Sequence, residues 1–224
     1  MEIYKDVFEI IVEQFVSERL DDIMLQDSEF VKLQDVIWKE KEKYNQLDIS
    51  ESQHQMLEDL ISLHIKDTKQ FMSHLLIKGT WDNFLLSEAT LMMANPFTIS
   101  GEINRSFFTN EEYEALSDKT YMLWSQIKPF CYSIIKGNKV PTAMKIIFVL
   151  PKNIETEILT NADSTIAADD IDRLFVNVRY NENGITLITG TCLHTFTLDK
   201  TLEHAFDHYI KNFLNQAELP FEEQ

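Results

Sequence analysis

The sequence of 224 residues contains few of the residues that interrupt or cross-link a chain: five glycines, five prolines and two cysteines. So little Gly and Pro excludes collagen-like and low-complexity chains. The two cysteines, Cys131 and Cys192, cannot build a disulfide framework or, by themselves, a thiolate zinc site. The chain is instead 44% apolar and 11% aromatic, which is typical of a protein that folds around a core.

Positive charge is also scarce. Lys and Arg number 20 against 37 Asp and Glu, so the formal net charge is −17. An acidic chain repels phosphate groups, and no run of Lys and Arg offers a local basic patch, so we expect no direct nucleic-acid partner. The excess of acid is concentrated in residues 1–64, where 16 acidic residues face 6 basic ones.

Long apolar runs are missing as well. No window reaches the length of about 18 apolar residues that a membrane-spanning helix needs. The first fifteen residues have acidic side chains within their apolar stretch and no cleavage site of small residues, which is unlike a secretory signal. We therefore expect a cytoplasmic protein with reduced thiols and no membrane partner.

Residues 1–64 have no Gly or Pro, and their apolar residues recur at helical spacing. Asp27 or Ser28 can cap a second helix after the one that opens the chain. Ser50-Glu51-Ser52-Gln53 is a capping-box pattern that opens a third, whose apolar residues reach Leu63. The sequence predicts an acidic module of three helices, or a helical hairpin, over 1–64.

Residues 65–215 predict an α+β domain with helices packed on an antiparallel sheet, because neighbouring strands are joined by hairpin turns. Asn183-Gly184 is the strongest of these turn signals. Thr109-Asn110-Glu111-Glu112 predicts the start of a helix, and Pro129 should kink or break that helix near Lys128. The predicted elements are a helix over 67–77, strands over 84–94 and 97–103, a helix over 109–136, a strand over 143–150, a helix over 153–160, strands over 173–181 and 185–198, and a helix over 199–215.

Four segments carry a resemblance to a known family: HIKDTKQFMSHLLIKGTWDNFLLSEA, FTISGEIN, QIKPFCYSIIKG and LFVNVRYNENGITLITGTCLHTFTLDK. Together they make residues 65–224 similar to a bacterial family of unknown function. The resemblance implies a cytoplasmic bacterial protein of α+β type, and it implies no reaction. Residues 28–60 loosely resemble a second small helical family, which is also uncharacterised.

The segment His204-Ala205-Phe206-Asp207-His208 places two imidazoles at i and i+4 on one helical face. That spacing lets both rings reach one metal ion, and the order resembles an inverted zinc-peptidase motif with Asp207 in place of Glu. The alternative is an amphipathic helix whose histidines lie at the border of its apolar face. The metal interpretation predicts a hydrolase that uses His204, Asp207 and His208.

Cys131 is a candidate for a catalytic nucleophile. It lies between Phe130 and Tyr132 in an apolar run. A nucleophilic thiol needs a neighbouring base or helix N-terminus to lower its pKa, and no such signal surrounds Cys131. We therefore expect a core residue.

The chain ends in an acidic tail, 216–224, that contains Gln216, Leu219 and Phe221 at the first, fourth and sixth places of a hexapeptide. This pattern resembles the peptide by which bacterial proteins dock on the DNA sliding clamp. The alternative is that Leu219 and Phe221 fold back onto the domain as an apolar staple.

These features predict a non-catalytic binding or regulatory protein that acts through protein–protein contacts and needs no cofactor. The apolar side chains of 1–64, such as Trp38 and Tyr44, exceed what three short helices can bury. The expected partner is another protein, for example the sliding clamp, or a second copy of the chain. The alternative is the metal-dependent hydrolase.

Overall fold

The alternating apolar residues of the chain after residue 61 build one antiparallel sheet covered by helices. The computed structural model describes residues 61–223 except 117, 138, 163, 195, 196 and 198. Of the chain, Ile61–Cys192 and Asp199–Gln224 form one compact unit, and the account below concerns this unit. Residues 1–60 of the helical module predicted for 1–64 lie outside the described residues.

The described residues form eight strands and five α-helices. The strands are β1 Ser62–Ile65, β2 Leu85–Met92, β3 Pro96–Ser100, β4 Met122–Leu123, β5 Ala143–Val149, β6 Ile171–Asn181, β7 Gly184–Leu193 and β8 Phe221–Glu223. The α-helices are α1 Thr68–Leu76, α2 Asn110–Glu114, α3 Trp124–Ile135, α4 Lys152–Asn161 and α5 Thr201–Gln216. This confirms the predicted α+β class. No helix in this part of the chain is both long and apolar enough to cross a membrane.

The strand order is β3-β2-β5-β6-β7-β1-β8, and β4 pairs with β2. Strand β1 lies between β7 and β8, antiparallel to both, so that Ile65 is opposite Ile185 on one side and Phe221 on the other. The sheet therefore holds the beginning and the end of the unit side by side.

The predicted hairpin at Asn183-Gly184 is confirmed. Gly184 has φ of 107°, a left-handed conformation that glycine adopts without steric cost. The Asn181 side chain accepts a hydrogen bond of 2.8 Å from the backbone N–H of Asn183, which closes the turn between β6 and β7.

Aromatic residues form the centre of the core. Phe148 on β5 stacks on Trp81 with ring centroids 5.1 Å apart and contacts the Trp124 ring edge-on at 5.2 Å. The Trp81 ring also meets Phe213 of α5 at 4.9 Å. Trp81, Trp124 and Phe148 are fully buried, so these rings bind α3, α5 and the sheet into one core.

Two predicted elements are wrong. Leu63, expected in a helix, lies in strand β1. The helix expected over 109–136 is two helices, α2 and α3. The capping box of Thr109 and Glu112 does start α2, but the Asp118 carboxylate accepts hydrogen bonds from the N–H groups of Thr120 and Tyr121 and holds the chain in a turn.

Candidate functional site

Helix α3 is held against the domain by a small number of inward-facing groups. Trp124 and Cys131 are fully buried, and the Trp124 indole donates a hydrogen bond of 2.8 Å to the carbonyl of Leu75 at the end of α1. Lys128 is the single charged residue of α3, and it forms an ion pair with Asp82. These contacts fix which face of α3 is turned outward.

The outward face of α3 has no charged residue. Its exposed residues, which we call the α3 surface, are Gln126, Pro129, Phe130, Tyr132 and Ser133. The Phe130 side chain is 63% exposed and that of Tyr132 is 42% exposed. The chain as a whole carries a charge of −17, so an uncharged aromatic helix face is unusual on its surface.

Two predictions about α3 have opposite outcomes. Of the kink or break expected near Lys128, the break is wrong, because the helix continues from Trp124 to Ile135 with Pro129 inside it. The proline removes one helical hydrogen bond and its ring crowds the carbonyl four residues earlier, a cost that the packing of Trp124 and Cys131 on either side of it opposes. The expectation of a core cysteine agrees with the structure, where burial raises the pKa of the Cys131 thiol to about 12.

The three candidate metal ligands of α5 do not point in one direction. His204 and His208 are exposed, whereas the Asp207 carboxylate accepts a hydrogen bond of 2.6 Å from the Thr189 hydroxyl on β7. Burial raises the pKa of Asp207. Within the described residues, no three His, Cys, Asp or Glu side chains are grouped to hold a metal ion. Leu202, Phe206, Ile210 and Leu214 are buried, as in the alternative amphipathic helix.

The residues of the sliding-clamp pattern lie in three different settings. Gln216 is the last residue of α5 and is exposed, Leu219 is only 1% exposed, and Phe221 begins β8 opposite Ile65. The carbonyl of Pro220 accepts a hydrogen bond of 2.9 Å from the N–H of Lys66. The tail is thus folded onto the domain, as in the staple alternative.

A cleft that the sequence does not reveal lies between α1 and the end of α5. This α1–α5 cleft is open to solvent and has a volume of about 470 Å³. The lining side chains that bear on its chemistry are Gln70, His74, Lys78, Thr80, Phe213 and Glu218. The predicted tail residue Gln216 also lines it.

The imidazole of His74 organises one wall of the cleft. The Lys78 ammonium donates to Nε2 of His74 across 2.7 Å, and because an ammonium group cannot accept, Nδ1–H must donate to the Thr80 hydroxyl at 2.8 Å. Burial and, after it, the Lys78 charge lower the pKa of His74. The Glu218 carboxylate raises it, and the net effect is a lowering. His74 is therefore neutral at physiological pH and orients both partners.

The sequence offered one local signal for this wall, namely His74 and Lys78 at i and i+4. The other wall comes from Phe213 and Glu218, about 140 positions later in the chain. No local pattern shows that α1 and α5 meet, so sequence reasoning did not find the cleft.

Comparisons with known proteins name a family but no activity. Neither a curated protein nor a solved structure matches the chain. The family of unknown function DUF5721 matches residues 74–222, which is more than half of the chain and includes strands β2 to β7 and the start of β8. The resemblance to a family of unknown function is thereby confirmed, and the chain belongs to DUF5721.

Proposed function

We propose that this protein is a non-catalytic binding protein and that the α3 surface is where it contacts a protein partner. The observation that carries the proposal is the exposure of Phe130 and Tyr132 on a helix face without charge. Aromatic residues are enriched and charged residues depleted at the centre of protein interfaces, which is the composition of this face.

Another exposed apolar residue lies near α3. Ile77, which follows α1, is 63% exposed. It lies beside α3, because the carbonyl of the next residue, Lys78, accepts a hydrogen bond of 2.9 Å from Lys128. An apolar groove or helix on a partner would bury Phe130 and gain free energy in proportion to the area covered.

The partner we propose is a different protein with an uncharged, apolar contact surface. Two copies of this chain would each carry a net charge of −17, and their repulsion disfavours self-association. A homodimer is therefore an alternative outcome of the test below.

Two other hypotheses from the sequence are weaker candidates. Docking on the sliding clamp through Gln216, Leu219 and Phe221 would require Leu219 to leave the core and β8 to leave β1. Hydrolysis at His204, Asp207 and His208 would require Asp207 to give up its bond to Thr189. No contact of the described residues favours either step.

The α3 proposal is tested by comparing the wild-type chain with Phe130→Ser. We expect the isolated protein to be monomeric by light scattering and to capture a protein from extract of its source organism. That protein, once identified and purified, should bind the wild type directly and bind Phe130→Ser at least about tenfold more weakly.

The matched control is Phe107→Ser, because Phe107 is 81% exposed but lies outside the α3 surface. It should leave the affinity unchanged. Equal binding by all three proteins would place the contact elsewhere, and a concentration-dependent mass that Phe130→Ser abolishes would replace the hetero-complex by a homodimer.

A cytoplasmic location is part of the proposal. Its support is that Cys131 is buried and forms no disulfide, which is common in proteins of a reducing compartment.

A further inference from the structure

The α1–α5 cleft holds two opposite charges that do not neutralise each other. Lys78 and Glu218 both line it, yet no ion pair joins them among the described residues. Lys78 is instead anchored on the neutral imidazole of His74, which leaves two of its ammonium hydrogens for another acceptor. The cleft therefore presents a cation and an anion separately.

The backbone at Glu218 is a second, independent observation. Glu218 has φ of 56°, the one positive φ of a residue other than glycine in the described part of the chain. Its position follows the end of α5, where glycine is preferred because the left-handed conformation is unfavourable for a side chain. A strained residue that lines a cleft suggests a functional reason for keeping its side chain.

The Glu218 main chain is also fixed. Its carbonyl accepts a hydrogen bond of 2.9 Å from the Gln70 side chain on α1, which links the two walls of the cleft. The main chain of Glu218 is thereby fixed on the α5 side of the cleft, while the ammonium of Lys78 is held on the α1 side. The half-buried ring of Phe213 also lines the cleft and supplies an apolar surface.

We propose that the α1–α5 cleft binds a free α-amino acid with an apolar side chain. Lys78 and the Thr80 hydroxyl donate to the ligand carboxylate, Glu218 accepts from the ligand ammonium, and Phe213 contacts the ligand side chain. The Thr80 oxygen accepts from His74, so the Thr80 hydrogen is available to the ligand. This inference is independent of the α3 surface and of the proposed protein partner.

The test is calorimetric titration of the full chain with L-leucine, L-methionine and L-phenylalanine. We expect at least one to bind with Kd below about 1 mM. If phenylalanine binds, two analogues test its charged groups: phenylpropionate lacks the ammonium group and phenylethylamine lacks the carboxylate. Each should bind at least about tenfold more weakly than phenylalanine. The corresponding analogues serve for leucine or methionine.

Two variants assign the charges. Lys78→Met and Glu218→Gln should each weaken amino-acid binding by about tenfold or more. Their matched controls are Lys69→Met, an exposed lysine of α1 outside the cleft, and Glu182→Gln in the β6–β7 turn, which should bind like the wild type. All four residues are exposed, so the variants should fold.

Three results would overturn the proposal. The first is no binding of any of the three amino acids at about 10 mM. The second is equal binding of an analogue that lacks one charge, which would indicate a simple anion or cation site. The third is unchanged amino-acid binding by both Lys78→Met and Glu218→Gln.

Discussion

The backbone N–H of Leu219 donates a hydrogen bond of 2.9 Å to the carbonyl of Leu214, and both side chains are buried. Together with the bond from the N–H of Glu218 to the carbonyl of Asn215, this is a Schellman motif that ends α5. The two positions that usually make an apolar contact in this motif are occupied here by these two buried leucines. It turns the chain from α5 towards β8.

Leu219→Ala tests how strongly this motif holds the end of the chain. We expect the free energy of unfolding to fall by about 2 to 4 kcal/mol, because the substitution leaves a cavity at a fully buried position. Urea denaturation measures the change. Leu219→Met, which nearly preserves the volume, should lose less than about 1.5 kcal/mol. Equal, small effects of both would mean that the tail does not depend on Leu219.

The same burial predicts the behaviour of the clamp-like pattern. Because Leu219 is in the core, the native chain should form no complex with the purified sliding clamp of its source organism. A surface-plasmon titration measures this. Binding that is abolished by Leu219→Ala with Phe221→Ala would show that the tail leaves the domain and would revive the clamp hypothesis.

Glu218→Gly should stabilise the protein by about 0.5 to 1 kcal/mol, because glycine adopts the positive φ of this position without steric cost. The neighbouring Ala217 has an ordinary φ of −82°. Ala217→Gly should therefore lower the free energy of unfolding by about 0.5 to 1 kcal/mol. Thermal unfolding of the two variants checks the prediction, and a loss of stability in Glu218→Gly would contradict it.

Gly101→Ala should be strongly destabilising. A Cβ at this position would lie 1.7 Å from the carbonyl oxygen of Leu86, beside the bulge in β2, so the backbone itself would have to move. We expect a loss of about 3 kcal/mol or more in the free energy of unfolding. Gly137→Ala is the control, because nothing lies within 4 Å of its added Cβ. It should be neutral or stabilising by up to about 1 kcal/mol.

Glu155 predicts a pH dependence of stability. It is 2% exposed, accepts a hydrogen bond of 3.0 Å from the N–H of Leu174 and pairs with Lys152 at 2.9 Å. Burial is the largest influence on its pKa and raises it above the ordinary 4.5. The folded state therefore holds this proton more tightly than the unfolded state, and the resulting stability is present below pH 4.5 and lost as the pH rises through the folded pKa.

The measurement is the urea midpoint of the wild type and of Glu155→Gln between about pH 4 and 7. The stability of the wild type should fall relative to that of the variant as the pH rises through this range. Glu157 lies on the exposed side of the same helix, and the urea midpoint of Glu157→Gln should change with pH in the same way as that of the wild type. Parallel curves for Glu155→Gln would show that its carboxyl titrates alike in both states.

Local signals in the sequence determined the elements that depend on a few neighbouring residues. The capping box at Thr109 and Glu112, the turn at Asn183-Gly184 and the apolar run of β5 all occur where the sequence predicts them. In the first two, the stabilising group lies within four positions of the backbone that it stabilises, or the residue type itself permits the required φ; in β5 the unbroken apolar run marks a buried strand. The α+β class followed from the order of these elements.

Tertiary structure decided the features that depend on distant residues. Ser62–Ile65 became a strand because β7 and β8, more than a hundred positions later, pair with it. Leu219 became a core residue, and His74, Lys78 and Glu218 came to share one cleft, because the end of α5 packs beside α1. Periodicity shows which face of an element is apolar, but long-range pairing and packing select the element that covers it, and no window of neighbouring residues contains that information.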